Sequence, residues 1–322
     1  MEVGNSQIID EQNHQFCGVT AIFPRGRKND HPVFAGFHSF NGNGEFTGAA
    51  WIEECGLLQY PVMLTNTDSV GKVRDGVIKW MINSSWGKNC SPWALPVVTE
   101  TYDGELNGKR FVIKTKHVFE ALDAASPERP ILGSVGGGAG SISFDFKAGC
   151  GSSSRIVGKW VVGVWCQANI GIRRNLVIKG VPIGKSLPGD EVRSTSAGSL
   201  IVIIATNAPF MPVQLKRIAK RAALGMSRIG AAGHTGSGDF FLAFSTANEQ
   251  MFTSEEEVLS GSFLPLVNAS INPFFDAVID ATEEAILDAM VAQKPGPIKV
   301  PGYTVRSLPH DAVRQAFAVH NK

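Results

Sequence analysis

The sequence predicts a fold of the α+β class, in which strands and helices follow one another irregularly along a chain of 322 residues. Two hydrophobic patterns support this prediction. Short apolar runs between turn residues indicate strands, as at residues 17–23 and 32–37. Apolar residues at helical spacing indicate helices, as at residues 66–83 and from Asn272-Pro273 onward, where asparagine and proline are typical of a helix start. No internal repeat divides the chain.

The other elements are predicted from the same two patterns. Further strands are expected at 97–104, 142–146, 159–169, 199–206 and 240–246, and further helices from Met211-Pro212 to Gly225 and within 311–320. Clusters of glycine and small polar residues predict turns at 40–44 and 233–239. The polar stretch at 179–198, which contains prolines and glycines, predicts an exposed linker.

Composition and charge narrow the class of protein. With 43% hydrophobic residues and a formal net charge of +1, the chain is expected to fold as one large or two ordinary globular domains. Neither figure suggests binding to nucleic acid or to a membrane surface, and no apolar run approaches the length of a membrane-spanning helix. The 5 cysteines are scattered and odd in number, which is typical of reduced thiols. We therefore expect a cytoplasmic protein.

The stretch from Ala197 to Thr206 carries the most distinctive chemistry. Gly198 precedes Ser199, and the serine begins an apolar, β-branched run of strand length. An N-terminal-nucleophile hydrolase needs this local sequence, because its hydroxyl attacks the preceding carbonyl and its freed α-amine then serves as the base. The unperturbed pKa of an α-amine is about 7.7–8.0, so the amine can accept the hydroxyl proton near neutral pH. A glycine-serine turn that leads into a core strand is the simpler alternative.

Other nucleophile and cofactor patterns are weaker. The 7 histidines include no pair at the spacing of H-E-x-x-H, so neither a metal nor another cofactor is expected. The chain lacks a G-x-S-x-G elbow, although a histidine from a distant segment remains an alternative base and Cys166 an alternative nucleophile. The glycine run at Gly136, Gly137 and Gly138 is not followed by Lys-Ser/Thr, which excludes a P-loop. Such glycines allow the backbone to approach a ligand or another segment closely.

Ten short stretches, spread in order over most of the chain, form a specific joint pattern. They are GVTAI at 18–22, FNGNGE at 40–45, LTNT at 64–67, ETYDG at 100–104, VGGG at 135–138, QAN at 167–169, GS with its strand from 198, ATNAP at 205–209, SGD at 237–239 and AFSTAN at 243–248. In this order they resemble the L-aminopeptidase/D-amidase-esterase family, also called DmpA-like, which includes the β-peptidyl aminopeptidases.

The resemblance implies a precursor that cuts itself between Gly198 and Ser199 into an α chain of residues 1–198 and a β chain of residues 199–322. Both chains would stay in one domain, residues 1–322, with the four-layer αββα sandwich of the DmpA and ornithine-acetyltransferase type. The resemblance also implies a homo-oligomer, a tetramer of αβ units, whose substrates are small peptides, amino-acid amides or esters.

By position in the family pattern, Ser199 is the nucleophile and Asn169 stabilises the oxyanion, with Tyr102 assisting catalysis or lining the site. Ser237 and Asp239 would support the α-amine. An oxyanion donor of this kind contributes about 2.7–4 kcal/mol to transition-state stabilisation, so its loss is expected to lower turnover far more than binding.

The substrate pocket is also assigned from the resemblance. Glu100 would hold the ammonium group of the substrate, and Gly136, Gly137 and Gly138 would help to build the pocket. This chain departs from the family in three respects: many members carry glutamate in place of Asp239, some cut after asparagine rather than glycine, and members have a longer lead before the stretch that corresponds to residues 2–4. We expect processing to tolerate the glycine.

We therefore expect an autoproteolytically activated aminopeptidase that releases N-terminal amino acids from peptides, amides or esters through an acyl-enzyme on Ser199. Two alternatives remain open. One is an acyltransferase of the ornithine-acetyltransferase type, in which an amine replaces water as the acceptor; such relatives generally use threonine as the nucleophile. The other is a binding protein that is never processed and has no catalytic activity.

Overall fold

The fold is known from a computed structural model. It describes residues 1–84, 86–90, 93–108, 110–192, 197–254, 256, 258–265 and 269–320. Residues 193–196 of the predicted linker are outside this range.

Strands make up most of the two central layers. They are β1 (Glu2–Asp10), β2 (Gln15–Phe23), β3 (Val33–Gly42), β4 (Leu57–Leu58), β5 (Val62–Asn66), β6 (Val97–Thr101), β7 (Ile142–Ser143), β8 (Phe146–Lys147), β9 (Gly149–Val157), β10 (Trp160–Asn169), β11 (Ala197–Thr206), β12 (Gly236–Ser245), β13 (Ile298–Val300) and β14 (Tyr303–Val305).

Helices form the outer layers and several connections. They are α1 (Ala49–Cys55), α2 (Val70–Ser84), α3 (Thr115–Asp123), α4 (Ile183–Ser186), α5 (Pro212–Ala219), α6 (Ala222–Arg228), α7 (Asn272–Val291) and α8 (His310–His320). Short 3₁₀ turns lie at Thr67–Ser69, Gly136–Gly138, Arg173–Asn175, Glu249–Phe252 and Ala269–Ile271. No helix in the described part of the chain is long and apolar enough to cross a membrane.

Two large sheets face each other. The smaller has the strand order β1-β2-β5-β6, and the larger has the order β4-β3-β12-β11-β10-β9. Within the larger sheet β11 and β12 run parallel, whereas β10 is antiparallel to both of its neighbours. Parallel neighbours require a crossover connection, which α5 and α6 provide between β11 and β12.

Three apolar layers separate these elements. The central layer, between the sheets, contains Ile22 and Leu64 of the smaller sheet with Trp165, Ile201, Ile203 and Leu242 of the larger one. A second layer joins the smaller sheet to α2 and α3 through Val19, Met63, Val77 and Leu122. A third joins the larger sheet to α5, α6 and α7 through Val164, Val202, Phe241, Ile218, Met226 and Ile286. The stacking is therefore helix, sheet, sheet, helix, which confirms the predicted αββα sandwich.

The predicted turn at 233–239 is wrong in its second half. β12 begins at Gly236, and its first residues pair in parallel with β11, for example Gly198 with Ser237. On its other side β12 pairs with Asn41 and Gly42, so β3 also runs further than predicted. Glycine and small polar residues have low strand propensity, but here the ladder satisfies their backbone groups.

The strand predicted at 142–146 is a tight hairpin. Ile142 pairs with Lys147 and Ser143 with Phe146, while Phe144 and Asp145 have φ values of 50° and 62°. A two-residue turn with positive φ at both positions is usually marked by Asn-Gly, and Phe-Asp gave no such indication.

The predicted helix from Met211 to Gly225 is two helices, α5 and α6, and Gly225 does not end the second one. A β-carbon on Gly225 would lie 2.6 Å from the carbonyl oxygen of Ile279 on α7. The glycine therefore allows two helices to pack closely. The predicted linker also differs, because α4 lies within it and Ile183 is fully buried.

Candidate active site

Ser199 lies near the start of β11, between the ends of two neighbouring strands. Its register partners are Asn169 on β10 and Gly238 on β12. The backbone N–H of Gly238 donates a hydrogen bond to Ser199 Oγ at 3.4 Å, and the residue is 5% exposed. Because side chains alternate along a strand, Ser199 is on the same face as Ile201, towards the layer between the sheets. Its hydroxyl is thus enclosed at one end of that layer.

Gly198 is required by the packing of β11 on β10. A β-carbon at this position would lie 2.2 Å from the carbonyl oxygen of Asn169, which no side chain tolerates. The glycine before the serine therefore has a steric reason, and the Gly198–Ser199 peptide bond lies directly beside the end of β10.

Asn169 is fully buried opposite Ser199. Its Oδ1 accepts a hydrogen bond of 2.8 Å from the backbone N–H of Ile142 on β7. Since Oδ1 faces β7, the Nδ2 group is the donor end of the amide. This orientation is compatible with donation to an oxyanion on the Ser199 side.

A cavity of about 570 Å³ opens beside Ser199. Its described lining residues are Gly42, Asn43, Gly44, Glu45, Thr67, Glu100, Tyr102, Gly198, Ser199 and Gly236. The carboxyl groups in this lining belong to Glu45 and Glu100. The cavity therefore brings the predicted nucleophile and scissile bond together with two of the predicted substrate-contacting residues, Glu100 and Tyr102.

Glu100 is held in a fixed position at the end of β6. It is buried, its Oε1 accepts a hydrogen bond of 3.1 Å from the backbone N–H of Glu45, and its Oε2 accepts one from the Thr67 hydroxyl. Burial raises the pKa of Glu100, and the two hydrogen bonds oppose that rise. A carboxylate in this setting gains from a cation placed in the cavity.

Tyr102 lies at the mouth of the cavity rather than deep inside it. The residue is 51% exposed, and its hydroxyl lies only 2.0 Å from the point where a β-carbon on Gly104 would stand. Glycine at 104 thus lets the phenol ring fold back over the chain. Its part in catalysis or in lining the substrate site stays a prediction, and its observed place is in the wall of the cavity.

Ser237 and Asp239 are neighbours on β12. The Ser237 hydroxyl donates a hydrogen bond of 2.8 Å to Asp239 Oδ1, so the shorter aspartate reaches its partner. Burial raises the pKa of Asp239 to about 6, while the bonds from Ser237 and from the Leu200 backbone N–H lower it. Strand alternation places Asp239 on the face of Phe241, opposite to that of Ser199. Asp239 therefore contacts the main chain next to the serine rather than its hydroxyl.

The glycine run at 136–138 packs between the two sheets. The backbone N–H of Gly136 donates to Gln7 Oε1 at 3.2 Å, and that of Gly137 donates to Thr20 Oγ1 at 3.1 Å. A β-carbon on Gly137 would lie 2.3 Å from Gln167 Oε1. The described cavity lining does not include these glycines. Their part in substrate binding stays a prediction, and their observed contacts are those of close internal packing.

Residues to which the sequence assigned no role also line the cavity. Thr67 binds Glu100, and Asn43, Gly44 and Glu45 form one wall. Both segments belong to the family-like stretches at 64–67 and 40–45, and this membership is the signal in the sequence that could have indicated a role in the site. Their functional contacts could not be derived because they depend on β6 and β12, which are distant in sequence.

The alternative catalytic groups lie elsewhere. Cys166 is fully buried against the helices, and burial raises the pKa of its thiol far above the ordinary value. No histidine occurs among the described residues that line the cavity. Within the described residues, no group of three or more His, Cys, Asp or Glu side chains could hold a metal ion.

Comparison with known proteins identifies the family. The model of peptidase family S58 matches residues 1–297. This chain belongs to peptidase family S58. It is therefore a serine peptidase of the aminopeptidase type, a hydrolase that acts on peptide or amide bonds. The resemblance found in the sequence is confirmed.

Two curated relatives of this S58 peptidase are named as beta-peptidyl aminopeptidases BapA. The protein from Sphingosinicella microcystinivorans is 44% identical over 317 residues, which cover 92% of this chain and 78% of that protein. The protein from Sphingosinicella xenopeptidilytica is 36% identical over 319 residues, which cover 91% of this chain and 79% of that protein.

Solved structures agree with the sequence relatives. One match is the L-aminopeptidase D-Ala-esterase/amidase from Ochrobactrum anthropi, which is described as a prototype of the serine aminopeptidases with a variant of the Ntn-hydrolase fold. Its TM-score is 0.90 at 36% identity, and the match covers 99% of this chain and 92% of that chain. A beta-aminopeptidase from Burkholderia sp. matches with a TM-score of 0.86 and 38% identity over 99% and 91% of the two chains. These matches do not support the acyltransferase or the binding-protein alternative.

Proposed function

We propose that this S58 peptidase cuts itself between Gly198 and Ser199 and then releases N-terminal residues from small peptides, amides or esters. The observation that carries the proposal is the position of Ser199. Its hydroxyl lies at the head of β11, faces Asn169 across the strand pair and lines the cavity together with Gly198.

The self-cleavage proceeds without another catalyst. Ser199 Oγ attacks the carbonyl carbon of Gly198, the C–N bond breaks, and the hydroxyl proton moves to the departing nitrogen, which becomes the α-amine of Ser199. Water then hydrolyses the resulting ester, which gives Gly198 a carboxylate and returns a proton to Ser199 Oγ. The products are an α chain of residues 1–198 and a β chain of residues 199–322 within one domain.

Hydrolysis of substrate uses the same atoms. The neutral Ser199 amine accepts the Oγ proton, and the oxygen attacks the carbonyl carbon of the first residue of the substrate. Asn169 Nδ2 stabilises the tetrahedral oxyanion, and the protonated amine gives its proton to the leaving amine. Water then attacks the acyl-enzyme and releases the free amino acid. Ser237 and Asp239 stabilise the charged form of the amine through their contact with the start of β11.

The substrate class is proposed from the charge of the cavity. Glu100 is buried and held by two donors, so it offers a fixed carboxylate for the ammonium group of a free N-terminus. Tyr102 at the mouth contacts the acyl portion. The names of the relatives favour β-amino acids at the first position, and α-amino acids are the second class to compare.

We also propose a homo-oligomer, a tetramer of αβ units, from the family resemblance. A cytoplasmic location is proposed from the 5 free cysteines. Analytical ultracentrifugation of the purified protein tests the first of these, and fractionation of the source cells tests the second.

The test of self-processing is the intact mass under denaturing conditions. We expect the wild type to give two species divided between Gly198 and Ser199, and Ser199→Ala to give one inactive chain. Ser227→Ala on the exposed face of α6 is the matched control and should be cut like the wild type. Cleaved samples are then assayed with β-alanyl and L-alanyl anilides. A wild-type chain that stays whole on incubation would refute the proposal.

A further inference from the structure

Arg173 is a buried arginine that the mechanism above does not use. It is 5% exposed, and its guanidinium carbon lies 3.6 Å from the centroid of the Phe146 ring. Burial lowers the pKa of the guanidinium, and nearby carboxylates oppose this effect. Such a group is costly to bury unless its donors are satisfied, so its partners indicate what it holds together.

The partners of Arg173 belong to two separate segments. Nε donates to the carbonyl of Phe144 at 2.8 Å and one terminal nitrogen donates to that of Asp145 at 2.8 Å, both in the turn of the β7–β8 hairpin. The other terminal nitrogen donates to the carbonyls of Leu187 and Gly189, each at 3.1 Å. The guanidinium thus ties the hairpin to the segment that leads towards Ser199.

The hairpin turn holds the same segment through a second side chain. Asp145 is buried; its Oδ2 accepts a hydrogen bond of 3.0 Å from the backbone N–H of Arg173, and its Oδ1 accepts one of 3.0 Å from that of Val192. Arg306, which pairs with the hairpin, donates to Asp190 at 2.7 Å. Residues 187–192 are therefore fixed a few residues before Gly198.

The hairpin is also tied to the active site. The backbone N–H of Ile142 orients the Asn169 amide at 2.8 Å, and the Phe144 N–H donates to the carbonyl of Ile170 at 2.7 Å. One short element thus positions both the oxyanion donor and the segment that precedes the scissile bond.

We propose that Arg173 is a positioning residue for precursor cleavage: it anchors residues 187–192 so that the Gly198 carbonyl is presented to Ser199. This role rests on the proposed self-processing. A lysine keeps the charge but lacks the planar fork that reaches four carbonyl groups. An ångström-scale displacement of reacting atoms can lower a rate by about 100-fold.

The experiment follows the cleavage of freshly purified full-length precursor by intact mass. We expect Arg173→Lys to slow cleavage by about 10- to 100-fold. Val192→Pro leaves the buried arginine unchanged but removes the backbone N–H that donates a hydrogen bond to Asp145 Oδ1. This variant should also slow cleavage, and it replaces Arg173→Lys if that variant does not fold. Arg174→Lys, at the exposed neighbouring arginine, is the matched control and should be cut at the wild-type rate.

Two further comparisons separate positioning from general stability. Val77→Ala, in the layer between α2 and the smaller sheet, should lower the melting temperature without slowing cleavage. For Arg173→Lys that has been fully cut, kcat for β-alanyl anilide should fall by less than the cleavage rate, because no linker is then presented. If Arg173→Lys is cut at the wild-type rate, the positioning role of Arg173 is overturned. The same holds if cleavage slows in proportion to the loss of melting temperature in both Arg173→Lys and Val77→Ala. Neither result would overturn self-processing itself. An uncut wild type overturns self-processing together with the role of Arg173.

Discussion

Asn169 and Ser199 show how a single register position determines chemistry. The two residues are direct partners in the β10–β11 ladder, so the amide and the hydroxyl share one face. The Ile142 N–H occupies Oδ1 and thereby determines which end of the amide faces the reaction. The proposed oxyanion donor is therefore oriented before substrate binds.

Removal of this amide should affect the transition state selectively. We expect Asn169→Ala to lower kcat by about 10²- to 10³-fold, or about 2.7–4 kcal/mol, with little change in KM, because the oxyanion exists only after attack. Asn207→Ala, at the exposed end of the strand region, is the control. The measurement is steady-state kinetics with β-alanyl anilide, and an equal loss of kcat and of substrate binding would contradict the assignment.

Asp239 links acidity to stability. Burial raises its pKa from 3.8 to about 6, so between about pH 4 and 6 the folded protein binds more protons than the unfolded chain. Stability therefore falls as the pH rises through this interval. The ionised carboxylate is nevertheless the form that can stabilise an ammonium group, so the proposed role of Asp239 in catalysis and its effect on stability favour opposite protonation states.

Urea denaturation between pH 4 and 7 tests this opposition. Measured on the Ser199→Ala background, which keeps one chain, the free energy of unfolding should decrease with pH, and Asp239→Asn should make the decrease shallower. Part of the slope should remain, because burial also raises the pKa of Asp103, to about 8. Identical slopes with and without Asp239→Asn would show that this carboxyl group is not perturbed.

The sequence alone indicates the residues whose proposed role follows from a local pattern. Ser199, with its glycine and its strand, was recognisable from a short stretch, and the family pattern added Glu100 and Tyr102, which line the same cavity. Thr67 and Glu45 were not assigned, because their contacts with Glu100 join segments that are far apart in the chain. The spacing of apolar residues along a chain predicts helices and strands, but it does not show which distant residues come into contact.

The packing of helix α7 on the larger sheet depends on a glycine, which has no β-carbon. Gly151 on β9 lies under α7, and a β-carbon there would stand 1.9 Å from the carbonyl oxygen of Ala285. At Gly163, on the adjacent strand, the nearest such contact is 3.9 Å. The same substitution at these two sites therefore compares a crowded with an open position in one sheet.

Gly151→Ala should force α7 away from the sheet. We expect it to lower the free energy of unfolding by about 1–3 kcal/mol, while Gly163→Ala changes it by less than about 0.5 kcal/mol. Urea denaturation of both variants in parallel provides the comparison. Equal effects would mean that α7 adjusts its position at little cost.

Strong periodic elements were predictable and irregular ones were not. β2, β10 and α7 lie close to the predicted ranges because each has a clear apolar pattern. The β7–β8 hairpin was missed because Phe144 and Asp145 adopt left-handed φ values without a glycine or asparagine to mark them. The start of β12 was missed because its residues gain strand structure only from pairing with β11.

For the whole molecule, the larger sheet interleaves the two proposed chains. Strand β12 and the part of β11 from Ser199 onward follow the proposed cut, and they lie between β3 on one side and β10 on the other, both from residues before it. The order of strands could not be predicted from the sequence, because the central strands β11 and β12 are buried along most of their length and their apolar runs do not specify which strands lie beside them. The layered fold was reached only through the family resemblance.

This interleaving predicts that cleavage does not separate the chains. The processed protein should elute from gel filtration as one particle that contains both chains, and the chains should separate in urea only where the circular dichroism of the folded state is lost. Ser199→Ala provides the uncut reference. Separation of the chains at a lower urea concentration would show that the sheet does not hold them together.

The two carboxylates of the cavity also bear on product release. A substrate enters with an ammonium group but without a carboxylate at the bond to be cut, whereas the free amino acid that leaves has gained one. Glu45 and Glu100 line the same cavity as Ser199, from which the proposed reaction would release that carboxylate. In the proposed mechanism the acidic lining attracts the ammonium group of substrate and product alike but repels a carboxylate that only the product has. The free amino acid should therefore bind more weakly than the substrate.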